Sequence, residues 1–421
     1  MPPDLLARRR QRLGAGLPLG DALLLIHAGS PLPLPEGSDQ TYPYRAHSEY
    51  LYAAGEECAG GVVAFDPREG AAGWRTFVPP VTEAERVWEG RQPSAGDSIE
   101  ALPAWLEARR GRTVVTLGAG SPTEGTETTR EIFTELRRAK DGHELSLIRR
   151  AVDATAAGHA LVSGLVRPGV TERQIQIELE AEFFRHGGNR TGYGTIVGAG
   201  SNSAVLHFAP SARAIRPGDF VLVDAGAEVD RYVADVTRTH VAGRPTNFQR
   251  DLHQAVVRAL DRAVARCVPG AEWKAIHLAA AVDLMEGLVA MNVMRGNPTD
   301  LVERDAHTLF FPHGVGHMLG LGVRDASGRA PGRAKDPRPS LRSLRMDLPL
   351  AAGMVVTVEP GLYFIPPILQ DPARRARYAD DVNWPLVDRH LDLGGVRIED
   401  DVLVTTGAPE VLTRMIPRDL P

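Results

Sequence analysis

The 421 residues carry 43% hydrophobic and 24% charged side chains, an ordinary balance for a soluble globular chain long enough for two or three domains and a sizeable core. A formal net charge of −5 and scattered arginines do not favour a nucleic-acid partner. Two distant cysteines, Cys58 and Cys267, make neither a CxxC metal motif nor a disulfide framework, and no segment approaches the roughly 20 apolar residues that span a membrane, so a cytoplasmic protein is expected.

From residue 1 to 138 strand-like and helical runs alternate, which predicts one α/β domain. ALLLI (22–26) is too short for a signal-peptide core and is soon followed by Gly and Pro. ALLLIHAG, EYLYAAG, GGVVAFDP, RTFVPP and RTVVTLGAG read as strands, SIEALPAWLEARR and TREIFTELRRAK as helices. LGAGSPT (117–123) begins like a dinucleotide-binding loop, but Thr123 stands in the place of the third glycine.

A boundary falls near 138–142, where Asp141 and Glu144 form a D-x-x-E capping box opening a long helix. The second domain, 143–421, repeats itself. RRAVDATAAGHALVSGLVRPGVTE (149–172) is echoed by HQAVVRALDRAVARCVPGAE (253–272), each a helix that ends at Pro-Gly before another helix and then strands. Two such α-α-β halves predict a pseudo-symmetric α/β domain with its site between the halves. Residues 325–346 are rich in Gly, Pro, Ser and Arg and read as a loop between two motif segments, well placed to rim a site.

Four strand-like segments carry polar residues where apolar ones would pack better: FVLVDAG with VADVTRTH, FPHGVGHMLGLGVRD, MVVTVEPGLYF and GGVRIEDDVLVT. The candidates are Asp224, Asp235, His317, Glu359 and Glu399. Unpaired carboxylates inside a sheet are costly unless neutralised. Two divalent cations would cancel four of them, and carboxylates with one imidazole suit Mn²⁺, with Co²⁺, Zn²⁺ or Fe²⁺ possible. Singly, Asp224 or Glu359 would read as a turn residue; five together in four apolar segments read as a site. In HGVGH, Gly314 and Gly316 argue against a helix. As a strand it would hold His313 and His317 roughly 13 Å apart, so one is expected to be a ligand and the other to contact substrate. Arg397 and Glu399, two apart, share a face.

These segments, in this order, resemble the Xaa-Pro peptidases, prolidase and aminopeptidase P, dinuclear metallopeptidases of the pita-bread fold. The resemblance covers the chain from about 143, and TYPYRAHSEYLYAAG resembles that family's amino-terminal domain, so residues 1–138 would be a creatinase/prolidase-like domain. It implies that Asp235 and Glu399 bridge two metals. Asp224 would bind one of them; His317 and Glu359 would bind the other. Glu359 would also shuttle a proton, His207 and His313 would contact substrate, His313 would help to stabilise the oxyanion, and Arg397 would stand beside the bridging glutamate. Homodimers acting on Xaa-Pro di- or oligopeptides are implied as well. The family's LGxDVHD stretch is LGLGVRD here, so Arg324 replaces a histidine and could hold a substrate carboxylate. Arg45 in YPYR is a further candidate. The long segment between GLYF and GGVRIED, with LRSLR (341–345), is prolidase-like and favours a dipeptidase; aminopeptidase P is the alternative. Metal-free scaffold or creatinase-like members lack this ligand set, and methionine aminopeptidase lacks the large first domain.

Overall fold

The computed structural model describes residues 1–35 and 40–420. Two compact units emerge, Met1–Arg137 and Arg138–Pro421.

In the first unit, helix α1 (Pro3–Gly16) precedes strand β1 (Leu23–His27), and α2 (Ser48–Ala54) follows. Then come β2 (Val62–Phe65), β3 (Trp74–Val78), α3 (Glu83–Glu89), β4 (Asp97–Ser98), α4 (Leu102–Glu107), β5 (Val114–Gly118) and α5 (Thr126–Arg138). The five strands form one mixed sheet in the order β4-β3-β2-β1-β5. Inward residues Leu25, Val62, Ala64 and Phe77 pack with Ile99, Leu102, Trp105 and Leu106.

One expectation fails here. EYLYAAG is a helix, α2, not a strand. His47 caps it by accepting the Glu49 N–H through Nδ1, and Gly55 ends it at φ 82, where a β-carbon would be strained. Tyr50 and Tyr52 look β-prone alone, but both are fully buried, and that packing outweighs propensity.

The second unit opens with α6 (Gly142–Leu165), capped as expected: Asp141 Oδ1 accepts the Glu144 N–H at 3.0 Å, and Glu144 Oε2 accepts the Asp141 N–H at 3.0 Å. Next come α7 (Glu172–Arg185), β6 (Arg190–Thr191), β7 (Ile196–Ala199), β8 (Phe220–Asp224), β9 (Ala227–Val229), β10 (Tyr232–Val233) and β11 (Thr237–Val241). The second half repeats the plan with α8 (Asn247–Ala265) and α9 (Trp273–Ala290). After α10 (Pro298–Glu303), the strands β12 (Gly328–Arg329) and β13 (Met346–Asp347) bracket the Arg-rich loop, and β14 (Val355–Val358) and β15 (Gly361–Tyr363) follow. Short helices α11 (Pro366–Leu369), α12 (Pro372–Arg377) and α13 (Trp384–Asp388) form the long insertion before β16 (Gly395–Arg397), β17 (Asp400–Leu403) and β18 (Glu410–Val411). This is the pita-bread arrangement of two α-α-β halves.

Each half buries its helix pair against its strands. Ile175, Leu179 and Phe183 of α7 pack on Val197, Val221 and Val223, while Leu252, Val256 and Leu260 of α8 join Val356, Val358 and Val402 in the larger core. The helix pairs thereby back the sheets β7-β8-β11 and β14-β17-β18, and β15 pairs with β16. Among the described residues, no helix is long and apolar enough to cross a membrane.

Candidate active site

The polar candidates sit where strands break rather than inside them. Asp224 is the last residue of β8 and pairs with Thr237 at the start of β11. Asp235 lies in the break between β10 and β11, Glu399 in the break between β16 and β17, and Glu359 just after β14. At the first break the chain doubles back tightly. Ala225 N–H donates to Val236 C=O at 3.0 Å, and a β-carbon on Gly226 would stand 1.8 Å from the Ala234 carbonyl oxygen. Only glycine fits there. A carboxylate at a strand end or break can turn into the cleft without displacing a core side chain.

The HGVGH segment is not a strand. A β-carbon on Gly316 would lie 2.0 Å from the Thr357 carbonyl oxygen, so the chain folds against β14 instead of extending. His313 and His317 therefore both reach one carboxylate, with His313 Nδ1 3.7 Å from Glu359 Oε2 and His317 Nε2 4.0 Å from Glu359 Oε1. The separation expected from extended spacing does not apply.

Asp224, Asp235, His317 and Glu399 are buried, and Glu359 keeps 18% of its side chain exposed toward a cavity of about 580 Å³. All five line that cavity, together with Arg397, His313, His207 and Arg324. Donor atoms of Asp235, His317 and Glu399 lie within 4.8 Å of one another. His317 Nδ1 stands 3.0 Å from the Met318 carbonyl and must be the protonated nitrogen, so Nε2 turns its lone pair inward, 3.4 Å from Asp235 Oδ2. That backbone tether is how metal-binding imidazoles are oriented.

The charges agree. Burial, then repulsion from neighbouring carboxylates, holds Glu399 well above the usual carboxylate range. Burial also raises Asp224, against the opposing pull of Arg397, and pushes Glu359 up to about 7. Burial works against a charged His317, but Asp235 and Glu359 outweigh it and raise its pKa. Crowded carboxylates that demand protons when alone are the environment a divalent cation pair relieves, and the hard oxygen-rich donor set with one imidazole fits such ions.

Three residues that sequence reasoning missed tie the group together. Tyr193 O–H donates to Asp224 Oδ1 at 2.6 Å, and Thr237 O–H donates to Glu399 Oε2 at 2.6 Å. Arg397 donates from Nε to Thr237 Oγ1 at 3.1 Å, from one terminal nitrogen to Asp224 Oδ2 at 2.5 Å, and from the other to Tyr363 Oη at 2.9 Å. Tyr363 Oη is 2.8 Å from His313 Nε2, while His313 Nδ1 is 2.8 Å from the Gly314 carbonyl. A carbonyl only accepts, so Nδ1 carries the proton and Nε2 accepts from Tyr363. Burial, then the Arg397 charge, holds the His313 pKa down at about 3, so the ring is neutral. Both ring nitrogens are engaged, and the N–H expected to reach an oxyanion is spent on Gly314.

His207 and Arg324 are exposed at the cavity mouth, where burial, then the Arg324 and Arg397 charges, lowers the His207 pKa. Arg345, from LRSLR, lines the same mouth and was not singled out by sequence. Arg45 lies in the first unit, half-buried in the extended segment before α2.

The sequence model of metallopeptidase family M24 matches residues 146–406, and that of the aminopeptidase P N-terminal domain matches residues 6–104. A protein of Tuber melanosporum named "Probable Xaa-Pro aminopeptidase" is 31% identical over 407 residues, covering 90% of this chain and 86% of its own. The corresponding protein of Fusarium vanettenii is 29% identical over 409 residues, 90% of this chain and 86% of its own. Among solved structures, aminopeptidase PepP of Pseudomonas aeruginosa superposes with a TM-score of 0.80 at 27% identity, over 100% of this chain and 96% of that one. Aminopeptidase P from Escherichia coli with the inhibitor Pro-Leu gives 0.81 at 27% identity with the same coverage.

Proposed function

Because the chain belongs to metallopeptidase family M24, we propose that it is an Xaa-Pro aminopeptidase that cuts the peptide bond before proline with two divalent ions, Mn²⁺ by preference. The observation that carries this reading is the convergence of Asp224, Asp235, Glu359 and Glu399 on one cavity, with the His317 lone pair turned into it. In this assignment Asp224, Asp235, His317, Glu359 and Glu399 would together hold the ions, with Asp235 and Glu399 shared between them as the family resemblance implies. Residues 143–421 form the catalytic domain.

Two cations held there supply an acidified water and a Lewis acid for the scissile carbonyl. The chain's own residues do the rest. Glu359 takes the proton of the attacking water and returns it to the proline nitrogen, which as a tertiary amide must be protonated to leave. Arg397 fixes Asp224 directly and Glu399 through Thr237, so a shift of one carboxylate is resisted by the others. Tyr363 locks the His313 ring at the cavity wall. The same proposal takes the protein as a cytoplasmic homodimer, an assembly that light scattering of the purified chain checks.

Asp235→Asn tests the assignment. Metal analysis of the purified protein is expected to find about two ions per chain, falling below one in the variant, because a bridging ligand serves both ions. Full occupancy with full Xaa-Pro cleavage in the variant would refute it.

A second reading, preference for dipeptides, is favoured by two exposed arginines, Arg324 and Arg345, that flank His207 at the mouth. The relatives and solved neighbours are aminopeptidases by name, which supports longer substrates over the dipeptidase that LRSLR and the insertion suggested. If an arginine reads the proline carboxylate, amidating a dipeptide costs about ten- to a hundredfold in kcat/KM, from roughly 1.5–3 kcal/mol for a charge-assisted contact. Arg324→Ala or Arg345→Ala then lowers activity on the acid and leaves the amide unchanged. Equal cleavage of acid and amide by the unaltered protein removes the dipeptidase reading.

A further inference from the structure

The two arginines of LRSLR are divided between two cavities. Arg345 lines the catalytic cavity, Arg342 lines a neighbouring pocket of about 580 Å³, and Ser343 lines both. Pro312, the residue before His313, is also shared, so the two spaces have a common wall at the reaction centre. Arg374 and Arg377, brought there by α12 of the long insertion, also line the second pocket.

Three cations thus face one space, and their acidic neighbour is already engaged: Asp305 accepts from Arg338 at 2.7 Å. Arg377 donates to the Arg304 carbonyl at 3.1 Å. Among the described residues, the guanidinium groups of Arg342 and Arg374 have neither a hydrogen-bond acceptor nor an ion-pair partner. Like charges held together in a concavity attract an anion, and a planar guanidinium suits a carboxylate.

We propose that this pocket binds an acidic side chain of the substrate peptide on the carboxyl-terminal side of the cleaved bond, giving the enzyme a preference for acidic Xaa-Pro peptides. The inference rests on the Xaa-Pro aminopeptidase reading. An enzyme that removes one residue has a single residue before the bond, so a second pocket beyond the reaction centre faces the longer, downstream part of the chain. The insertion that carries α12 and the Arg-rich loop then act together as a specificity surface.

Ala-Pro-(Gly)n-Asp-amide and Ala-Pro-(Gly)n-Asn-amide, with one to three glycines, test this. The amidated terminus removes the carboxylate that Arg324 or Arg345 could read. The unaltered holoenzyme is expected to favour the Asp peptide about three- to tenfold in kcat/KM at its best spacing, mostly through KM and less so in high salt, as befits partly solvated arginines. Arg342→Gln/Arg374→Gln should bring the ratio to about one while leaving the Asn peptide unchanged. A ratio near one at every spacing in the unaltered enzyme, or a preference that survives in the double variant, overturns the proposal. So does an acid preference confined to the first residue, measured with Asp-Pro against Asn-Pro peptides. If neither Ala-Pro series is cleaved, the aminopeptidase reading itself fails and takes the proposal with it.

Discussion

Glu359→Gln is expected to lower turnover by about 10²–10⁴-fold at saturating Mn²⁺ while the fold and part of the metal content remain. The amide matches the carboxylate in shape and can still offer one oxygen, but it cannot take up a proton. The backbone around it should not move, because the Glu359 N–H is held by the Val315 carbonyl at 2.8 Å and the preceding strand pairs with β17. Two nearby groups could in principle replace it as proton carrier, and the geometry disfavours both. His313 has each ring nitrogen engaged, and His317 has Nε2 aimed at Asp235, 3.4 Å away. The measurement is kcat on an Ala-Pro tripeptide with metal content determined on the same sample. Turnover within a few-fold of the unaltered enzyme at full occupancy would remove Glu359 from the proton transfer.

The cluster of polar candidates was legible because carboxylates are expensive inside apolar segments, so each one advertised a reason for being there. The residues that orient it were not. Thr237 reads as an ordinary β-branched strand residue and Tyr363 as an ordinary aromatic in GLYF. Their roles come from register, Thr237 opposite Asp224 and Gly361 opposite Arg397, and register between distant strands cannot be read from spacing. The His313–His317 distance failed for a related reason. Periodicity describes regular structure, and the two glycines of HGVGH bend the chain out of it. LRSLR was noticed as a family-like string, but only the fold reveals that its arginines serve different cavities. EYLYAAG shows the opposite limit, where local β-propensity yields to a capped and fully packed helix.

Lys140→Met is expected to destabilise the second unit by about 3–5 kcal/mol, the usual consequence of stripping one partner from a buried ion pair. Lys140 Nζ stands 2.9 Å from Asp325 Oδ2, with side chains 0% and 2% exposed. The pair is packed against backbone, since a β-carbon on Gly320 would lie 2.4 Å from Lys140 Cε. Without the ammonium, the Asp325 carboxylate is left deep in the protein with the Lys140 charge gone. If Arg324 reads substrate as proposed, the effect reaches function, because Asp325 lies next to Arg324 and is held by Lys140. The turn at Asp325 is held also by Arg138, which donates to the carbonyls of Ala326 and Arg329 at 3.1 and 2.9 Å, and by Ser327, whose hydroxyl accepts the Met318 N–H at 3.1 Å beside His317. Urea unfolding at fixed metal concentration measures the loss, because bound ions would otherwise mask it. Lys140→Met/Asp325→Leu should recover most of the lost stability, since two apolar groups of similar size replace a buried pair at little cost. A recovered double variant with normal cleavage of neutral peptides but altered discrimination between a dipeptide and its amide would show the pair acting through Arg324. A loss below about 1 kcal/mol for Lys140→Met would mean that water reaches the pair and that the turn is held mainly by Arg138 and Ser327.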